Sequence, residues 1–483
     1  MGKNRTIQDI FVVSFGNIVA LIANIIIGFI LPLILDIENY GYYKTYTLYI
    51  SYTGLLHFGF VDGILLLFAG KNYDELNREK FRLYTQFFVI LESVFGVIGV
   101  AGAVAFLNGQ MRVIMALVSL NLIWSNLILY FQYISQATSR FKEFAVCKII
   151  NAVSTIALVA VLFFIWKKYS NSSLLTAEFY IVASQIISVG LLGWYFVTYR
   201  NIIFGKKEAF ANEKNTILLI LKKGFVLTIA YEVSRLVLVM DRQFVSALFD
   251  IETYARYAFA YNILSCVTAL ITGISTVMFP KLKRMSHDEA MKFFPKGMAL
   301  ITVLVCFAQL GYYPIRHIVM WLLPHYADSL EYFRIVFPVL ALTSCITIIV
   351  FTFYKILDKN NVFFLVCAVS LVFAFLANVV AYCIWKTPAS ISWASLISTV
   401  FWYLISVLFL SKNYYVQWLK NFAYAMCMVC AFYLTTDFIT NEFISIATYL
   451  LILIVISVFL YKKDIAEIIK SQKRLSNGEG LRS

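Results

Sequence analysis

The chain has 483 residues, of which 61% are hydrophobic, 17% aromatic and only 14% charged. Soluble globular domains carry about 25% charged residues, and no soluble fold of this length could bury so much apolar surface. Composition therefore excludes a soluble protein. The formal net charge of +14 is attributed to basic loops that set membrane topology, and no nucleic-acid partner is expected.

Apolar stretches recur along the whole chain, and a membrane-spanning helix needs about 20 such residues. The sequence therefore predicts an all-α polytopic membrane protein with about 14 transmembrane helices. In chain order the predicted spans are 10–35, 45–69, 83–106, 113–136, 144–166, 177–199, 224–246, 255–279, 298–322, 331–354, 362–384, 388–410, 420–436 and 441–461.

Lys and Arg residues cluster in alternate loops. About three quarters of the 40 fall in segments predicted on one side of the membrane, among them 70–82 and 200–223. Because positively charged loops stay on the cytoplasmic side, both termini are predicted to be cytoplasmic.

A short repeat relates the two halves of the chain. LDIENYGYYKTY follows the first span and FDIETYARYAFA follows the seventh, so that Asp36 aligns with Asp250 and Tyr40 with Tyr254. Both copies have the same orientation, which predicts two parallel, pseudo-symmetric six-helix bundles followed by two C-terminal helices. Transporters built from such repeats hold their substrate where the halves meet. The predicted domains are an N-terminal bundle (1–199), a basic cytoplasmic linker with an interfacial stretch (200–223), a second bundle (224–410), two extra helices (411–461) and a cytoplasmic tail (462–483).

The seventh span contains four charged residues, in TIAYEVSRLVLVMDRQFV at 228–245. Counting from position 224 puts Glu232 about 12 Å and Arg235 about 16 Å deep, on either side of the middle of a core about 30 Å thick. A charge at the centre of a span costs about 2.5–3.5 kcal/mol even on insertion scales, so we interpret this pair as part of a functional site. The alternative is that the two charges, at i and i+3, only neutralise each other, and that Asp241 and Arg242 are interfacial residues.

Polar residues of neighbouring spans are further candidates. Asp62 and Glu92 lie in the inner halves of spans two and three and are candidates for ion coupling, with hydrogen bonding between helices as the alternative. His57, near the middle of span two, is a third ion-coupling candidate, although a lone histidine is more often structural. Asn17 and Asn24 lie on one face of span one and could line a cavity.

No cofactor, metal site or disulfide is expected. Cys427 and Cys430 form a C-x-x-C, but no second pair or flanking polar ligand accompanies it. Coupling to a proton or sodium gradient is compatible with the acids of spans two and three. The chain contains no P-loop motif and no acid–base constellation with a nucleophile, so an enzyme is not expected.

Two segments carry a resemblance to a known family. YKTYTLYISYTGLLHFGFVDGI, with GK at 70–71, and MDRQFVSALFDIETYARYAFAYNI at 240–263 resemble oligosaccharide flippases of the Wzx polysaccharide-transporter type. Their superfamily includes lipid II flippases and multidrug and toxin extrusion transporters. The resemblance implies two six-helix bundles plus two helices around a cationic cavity. It also implies a multi-pass protein of the bacterial cytoplasmic membrane that works beside other polysaccharide-assembly proteins.

The implied substrate is an undecaprenyl-pyrophosphate-linked oligosaccharide, flipped from the cytoplasmic to the outer leaflet by alternating access. Lipid II flippases have a charged first span; this chain has only asparagines there, which argues against lipid II. A pyrophosphate favours the planar donor fork of arginine, so Arg235, assisted by Glu232, Arg242 and Arg256, is the predicted substrate site. Aromatic residues beside it could border the sugar path, and the candidates are Tyr231, Tyr257 and Tyr261.

Two other functions remain open. A cation-coupled multidrug exporter would use Asp62, Glu92 and Glu232 as cation-binding acids, but Arg235 would repel cationic drugs. A membrane polysaccharide polymerase or ligase would be expected to carry a sizeable outer loop, and all predicted outer loops are short.

Overall fold

The computed structural model describes residues 3–169, 172–283, 287–357, 359–412, 414 and 417–476. Within those ranges every regular element is a helix. Lipid offers no hydrogen-bond partner to the backbone, so a spanning segment satisfies its peptide groups internally. The helices are α1 (Lys3–Ile34), α2 (Ile37–Thr53), α3 (Phe60–Phe68), α4 (Arg78–Phe106), α5 (Gly109–Ala137), α6 (Phe141–Lys168), α7 (Ala177–Thr198), α8 (Phe210–Leu248), α9 (Ile251–Lys283), α10 (His287–Ala308), α11 (Tyr312–Leu322), α12 (Ser329–Val336), α13 (Leu340–Ser344), α14 (Phe351–Ile356), α15 (Asn360–Trp385), α16 (Pro388–Ser411), α17 (Trp418–Phe438) and α18 (Glu442–Ser476).

Each predicted span corresponds to one helix or to one run of consecutive helices. Over the described residues, 10 helices are long and apolar enough to cross a membrane, and the bent pair α2–α3 makes up to 11. The prediction of an all-α polytopic membrane protein is confirmed. The count of 14 is not, because α8, α9 and α17, although helical, are not among those candidates.

The two copies of the sequence repeat begin their helices in the same way. The Asp36 carboxylate accepts the backbone N–H of Asn39 at 2.7 Å, and the Asp250 carboxylate accepts that of Thr253 at 2.9 Å. Both aspartates thus cap a helix N-terminus, α2 in one case and α9 in the other. The hydrogen bond from the Thr253 N–H holds the pKa of Asp250 below its usual range.

The chain forms two compact units, 1–262 and 263–483. In the first unit, α1 packs along α6, α4 along α5 and α3 on α8. Aromatic residues fill the core among α3, α4, α5 and α7; they include Phe60, Phe88, Tyr130, Phe131 and Tyr195. The division into two six-helix bundles stays a prediction.

The second unit contains two long helix pairs, α15 with α16 and α17 with α18. Its tenth predicted span is not one regular helix, since a 3₁₀ turn (Phe337–Val339) separates α12 from α13 and a π-helical turn (Cys345–Val350) separates α13 from α14. Pro338 explains the first irregularity, because proline has no backbone N–H to donate. Of the predicted tail, residues 477–483 lie outside the described residues.

The predicted linker is partly helical. Its last residues belong to α8, which begins at Phe210 and continues without a break into the seventh predicted span. Glu213 anchors this extension, since its carboxylate binds Lys80 Nζ at 2.5 Å and accepts the Tyr84 hydroxyl at 2.6 Å. Burial raises the pKa of Glu213, but the hydrogen bonds from Lys80 and Tyr84 outweigh it and hold the pKa below its usual value.

Candidate functional site

The second predicted span is broken in the middle. The α2 helix ends at Thr53, a 3₁₀ turn covers Gly54–His57, and α3 starts at Phe60 with its axis bent by 56°. Phe58 and Gly59 have φ values of 48° and 77°, which an α-helix cannot contain. Freed backbone groups at such a break are tolerated at membrane depth only where protein or a polar cavity satisfies them.

The α3 and α8 helices cross with their backbones in contact. Gly59 and Gly63 are spaced as G-x-x-x-G, a pattern that lets membrane helices approach closely, and they face Gly224 of α8. A Cβ atom on Gly224 would lie 1.8 Å from the carbonyl oxygen of Gly59. Only glycine at position 224 permits this crossing, which brings the break beside the charged part of α8.

Asp62 and His57 lie buried at this crossing. The hydroxyl of Thr228 on α8 donates to Asp62 Oδ2 at 2.5 Å. His57 Nδ1 accepts the Gly59 backbone N–H at 3.1 Å, and its Nε2 lies 3.9 Å from Asp62 Oδ2. Asp62 therefore has the helix-to-helix hydrogen bond that the sequence analysis gave as the alternative, while an ion-coupling role for Asp62 and His57 stays a prediction.

Glu92 approaches the break from α4 and is fully buried, at 0% exposure. Its Oε2 accepts the side-chain amide of Asn126 at 2.8 Å, and the same amide lies 3.2 Å from the carbonyl oxygen of Thr53 at the end of α2. Glu92 Oε1 is buried and has no hydrogen-bond partner among the described residues. The carboxyl group thus has one oxygen without a partner within the described residues, close to the C-terminal end of α2.

The pair predicted for the middle of α8 forms. Arg235 Nη2 lies 2.8 Å from Glu232 Oε2, and the two side chains are 42% and 14% exposed. The Glu232 carboxylate lies beside Gly54, at the break. Arg235 Nε is buried and donates no hydrogen bond within the described part of the chain. The guanidinium is therefore only partly satisfied and stays partly accessible.

Asp241 lies at the contact between α8 and α9, and its position relative to the membrane interface stays a prediction. It is buried, and its Oδ2 accepts the hydroxyl of Tyr257 at 2.9 Å and that of Tyr261. The Arg242 guanidinium lies over the Tyr261 ring, 4.8 Å from its centroid, and donates to the Leu238 carbonyl at 2.8 Å. This cluster joins α8 to α9.

The remaining candidates are dispersed. Arg256 pairs with Glu252 at 3.5 Å, one turn away on α9. Tyr231 is exposed. Asn17 accepts a hydrogen bond from Lys148 Nζ at 2.9 Å. The cavity-lining roles predicted for Tyr231, Tyr257, Tyr261 and Asn17 stay predictions.

Asn24 lines a cavity of about 480 Å³ inside the first unit, the first-bundle cavity. Helices α1, α2, α5, α6 and α7 form its walls, and most of the side chains are polar. The lining residues are Ala20, Ala23, Asn24, Ile27, Tyr43, Tyr46, Thr47, Ile50, Asn121, Gln132, Lys148, Asn151, Ala152, Thr155, Tyr180, Ile181, Ser184 and Ser188.

Three polar residues that were not among the predicted site residues also make contacts between helices or line the first-bundle cavity: Lys44, Gln243 and Lys148. Lys44 Nζ donates to Asn262 Oδ1 at 2.8 Å, and Gln243 accepts the Tyr52 hydroxyl at 3.1 Å, so both join α2 to the helices that follow the linker. The predicted span two started at 45 and left Lys44 in a loop. The N-cap signal of Asp36 would have started the helix earlier and placed Lys44 inside it.

These features define a multi-pass helical membrane protein whose second predicted span is bent, with a charged helix beside the bend. The family model described as "Polysaccharide biosynthesis protein" matches residues 6–286, more than half of the sequence, and the chain belongs to this family. No curated protein sequence matches it.

Solved structures of membrane transporters share the fold. The "Lipid II flippase MurJ, inward closed conformation" is 14% identical with a TM-score of 0.68, over 95% of this chain and 100% of that one. The MATE multidrug transporter DinF-BH is 15% identical with a TM-score of 0.54, over 83% and 94%. An inward-facing multidrug resistance MATE family transporter of the MOP superfamily is 12% identical with a TM-score of 0.56, over 86% of this chain and 98% of that one. The predicted family is thus supported by the family model, and these structures show that the fold is shared.

Proposed function

We propose that this protein flips an undecaprenyl-pyrophosphate-linked oligosaccharide from the cytoplasmic to the outer leaflet of the bacterial cytoplasmic membrane by alternating access, with both of its termini in the cytoplasm. Family membership supports a role in polysaccharide biosynthesis, and the shared fold supports transport. No cofactor takes part, and the partners are the lipid-linked substrate, the bilayer and other polysaccharide-assembly proteins.

One observation carries the proposal, namely the partly satisfied guanidinium of Arg235. A charge at this depth of α8 is costly unless it meets an opposite charge. Glu232 supplies one on one side only, while Nε stays without a partner within the described residues. A pyrophosphate presents several acceptor oxygens and binds arginine through two parallel hydrogen bonds. The substrate would thus displace Glu232 from Arg235 and use the free donor as well.

Arg242 extends the site along α8. Its guanidinium lies over the Tyr261 ring and is bonded to a carbonyl rather than to a carboxylate, so its charge is not neutralised by a direct ion pair among the described residues. Arg256 has a carboxylate partner in Glu252 and is the weaker contributor. The apolar tail would remain in the lipid throughout.

The acids at the break are proposed to couple transport to a proton or sodium gradient. Asp62, Glu92 and the adjacent His57 surround the point where the span bends. A change of charge there would alter the hydrogen bonds that hold α2, α3, α4 and α8 together. A flippase needs such a bistable element to alternate between its two states.

Arg235 is tested by substitution in a strain that lacks the chromosomal copy. Arg235→Ala should abolish surface polysaccharide, and Arg235→Lys should retain part of it, because lysine keeps the charge but not the bidentate fork. Membrane abundance should not fall, since alanine makes the span more apolar. Lys223→Ala, an exposed cation on the same helix, is the matched control. A fully active and abundant Arg235→Ala protein would reduce Arg235 to an ion-pair partner and overturn the site.

A further inference from the structure

The first-bundle cavity is a second place where a ligand can bind. Its volume of about 480 Å³ lies in the range of about 300–1,000 Å³ that is typical of small-molecule sites. Its walls belong to helices of the first unit other than α8, so it is distinct from the Arg235 site. On α2, Tyr43 and Thr47 face the cavity, whereas Tyr52 binds Gln243 of α8.

The polar groups of the wall are suited to a ligand rich in hydroxyls. The side-chain amides of Asn24, Asn121 and Asn151 line the cavity, and no hydrogen bond engages them within the described residues. Each amide offers two donors and an acceptor. The hydroxyls of Thr47 and Ser184 donate to carbonyls of their own helices, which leaves their lone pairs as acceptors. A pyranose carries several hydroxyl groups, and each of them can both donate and accept a hydrogen bond.

The cavity has one charged side chain among its described lining residues, and this is Lys148. Its ammonium group donates to the neutral Asn17 amide oxygen at 2.9 Å and lies 4.6 Å from the centroid of the Phe144 ring. Neither contact neutralises the charge, and no carboxylate belongs to the described part of the wall. A cationic ligand would therefore be repelled, and a ligand with one negative charge is the best complement.

The polar groups of the cavity wall lie at several levels along the helices. Asn121 and Gln132 mark two levels of α5 that are about 16 Å apart along the helix axis. On α6, Lys148, Asn151 and Thr155 lie on one face over about 10 Å. Gln132 lies at the level of Lys148, since its amide is 3.9 Å from Cys147 Sγ. A sugar whose charged substituent binds Lys148 can therefore place its ring hydroxyls at Asn151, about one helical turn away on α6, and at Asn24, whereas Asn121 lies too far along α5 to reach the same ring.

We propose that the first-bundle cavity binds a pyranose that bears a carboxylate, a hexuronic acid, with its carboxylate on Lys148 and its hydroxyls on Asn24 and Asn151. This inference rests on the proposed function in one respect: the sugar is part of the lipid-linked oligosaccharide whose pyrophosphate binds at Arg235. It defines the substrate class as an acidic repeat unit.

Saturation-transfer NMR on the full-length, detergent-solubilised protein tests the site, because it detects millimolar binding of free sugars. Galacturonate should receive saturation from the wild-type protein more strongly than galactose does. Lys148→Met should weaken galacturonate binding at least about tenfold, and Lys148→Arg should retain it. Lys142→Met, an exposed lysine on α6 outside the cavity, is the matched control and should bind normally.

Three results would overturn the inference. Equal binding of galactose and galacturonate, insensitive to Lys148→Met, would make the cavity a neutral-sugar site. Displacement of galacturonate by inorganic phosphate at similar concentrations would make it a general anion site. Transfer to neither sugar would mean that no monosaccharide binds there. Arg235→Ala should abolish transport but leave galacturonate binding intact. Absence of galacturonate binding by the wild-type protein would therefore refute this inference, whereas normal transport by Arg235→Ala would refute the proposed function.

Discussion

Asp241 is a buried carboxylate on which two tyrosine hydroxyls converge, and this cluster gives the clearest expectation for a single substitution. Asp241→Leu would remove the hydrogen bonds that Tyr257 and Tyr261 donate to this carboxylate. A hydrogen bond to a charged group contributes about 1.5–3 kcal/mol, so thermal unfolding of the purified protein in detergent should begin at a distinctly lower temperature. Asp241→Asn keeps an acceptor oxygen, and its unfolding temperature should fall less. Asp74→Asn, at an exposed site, is the control, and an unchanged unfolding temperature for Asp241→Leu would contradict the role.

Asp62 is expected to affect coupling more than folding. Asp62→Asn can still accept the hydrogen bond from Thr228, but it cannot change charge. Transport by this variant should respond less than wild type to collapse of the ion gradient, measured as flipping of labelled lipid-linked sugar in vesicles. Thr228→Ala is the companion variant, since it removes the hydrogen bond and keeps the carboxyl. If Asp62→Asn transports normally and depends on the gradient as wild type does, Asp62 is a structural residue.

Contacts within one helix were predictable at the residue level, and contacts between helices were not. Glu232 and Arg235 lie three residues apart, and helix geometry alone brings such side chains together. The partners of Asp241 lie on the next helix, so their hydrogen bonds depend on how α8 and α9 pack. Lys148 falls near the start of the predicted span 144–166, but nothing in the sequence around it shows that it lines a cavity.

At the scale of elements, the crossing of α3 and α8 depends on the missing side chain of Gly224. Gly224→Ala should push the helices apart, because its Cβ would lie 1.8 Å from a backbone oxygen that cannot move aside. We expect a large loss of membrane abundance and of thermal stability. Gly190→Ala, within α7, meets nothing within 4 Å and should be neutral or stabilising by about 0.5–1 kcal/mol. Equal behaviour of the two variants would mean that the close approach is not required.

The break between α2 and α3 was not predicted, and the reason is physical. The residues GLLHFGF at 54–60 are almost all apolar, so hydropathy reads through them as one span. The signals of the break are Gly59 with its positive φ and the buried carboxyls around it. Isolated glycines are common in membrane helices, so Gly59 alone did not distinguish a bend from a packing contact.

At the scale of the whole molecule, hydropathy predicted the helical segments well because lipid imposes a single solution on the backbone. The short repeat around Asp36 and Asp250 also had a structural counterpart, since both residues cap helices. Among the described helices, α8 is too polar to be one of the ten candidate spans, because its charged residues lower its mean hydropathy. The same charged residues indicate the proposed site.

The predicted topology follows from the distribution of Lys and Arg, and reporter fusions can test it directly. A fusion after Gly205 should lie in the cytoplasm, since the basic linker resists translocation, and a fusion after Asp250 should lie outside, since one span, α8, separates the two positions. Green fluorescent protein should therefore be bright at the first site and alkaline phosphatase active at the second. A fusion after Lys359, in another predicted inner loop, is the control and should match Gly205. If Gly205 and Asp250 report the same side, α8 does not cross the membrane, Arg235 does not lie at mid-depth, and the proposed pyrophosphate site loses its physical basis.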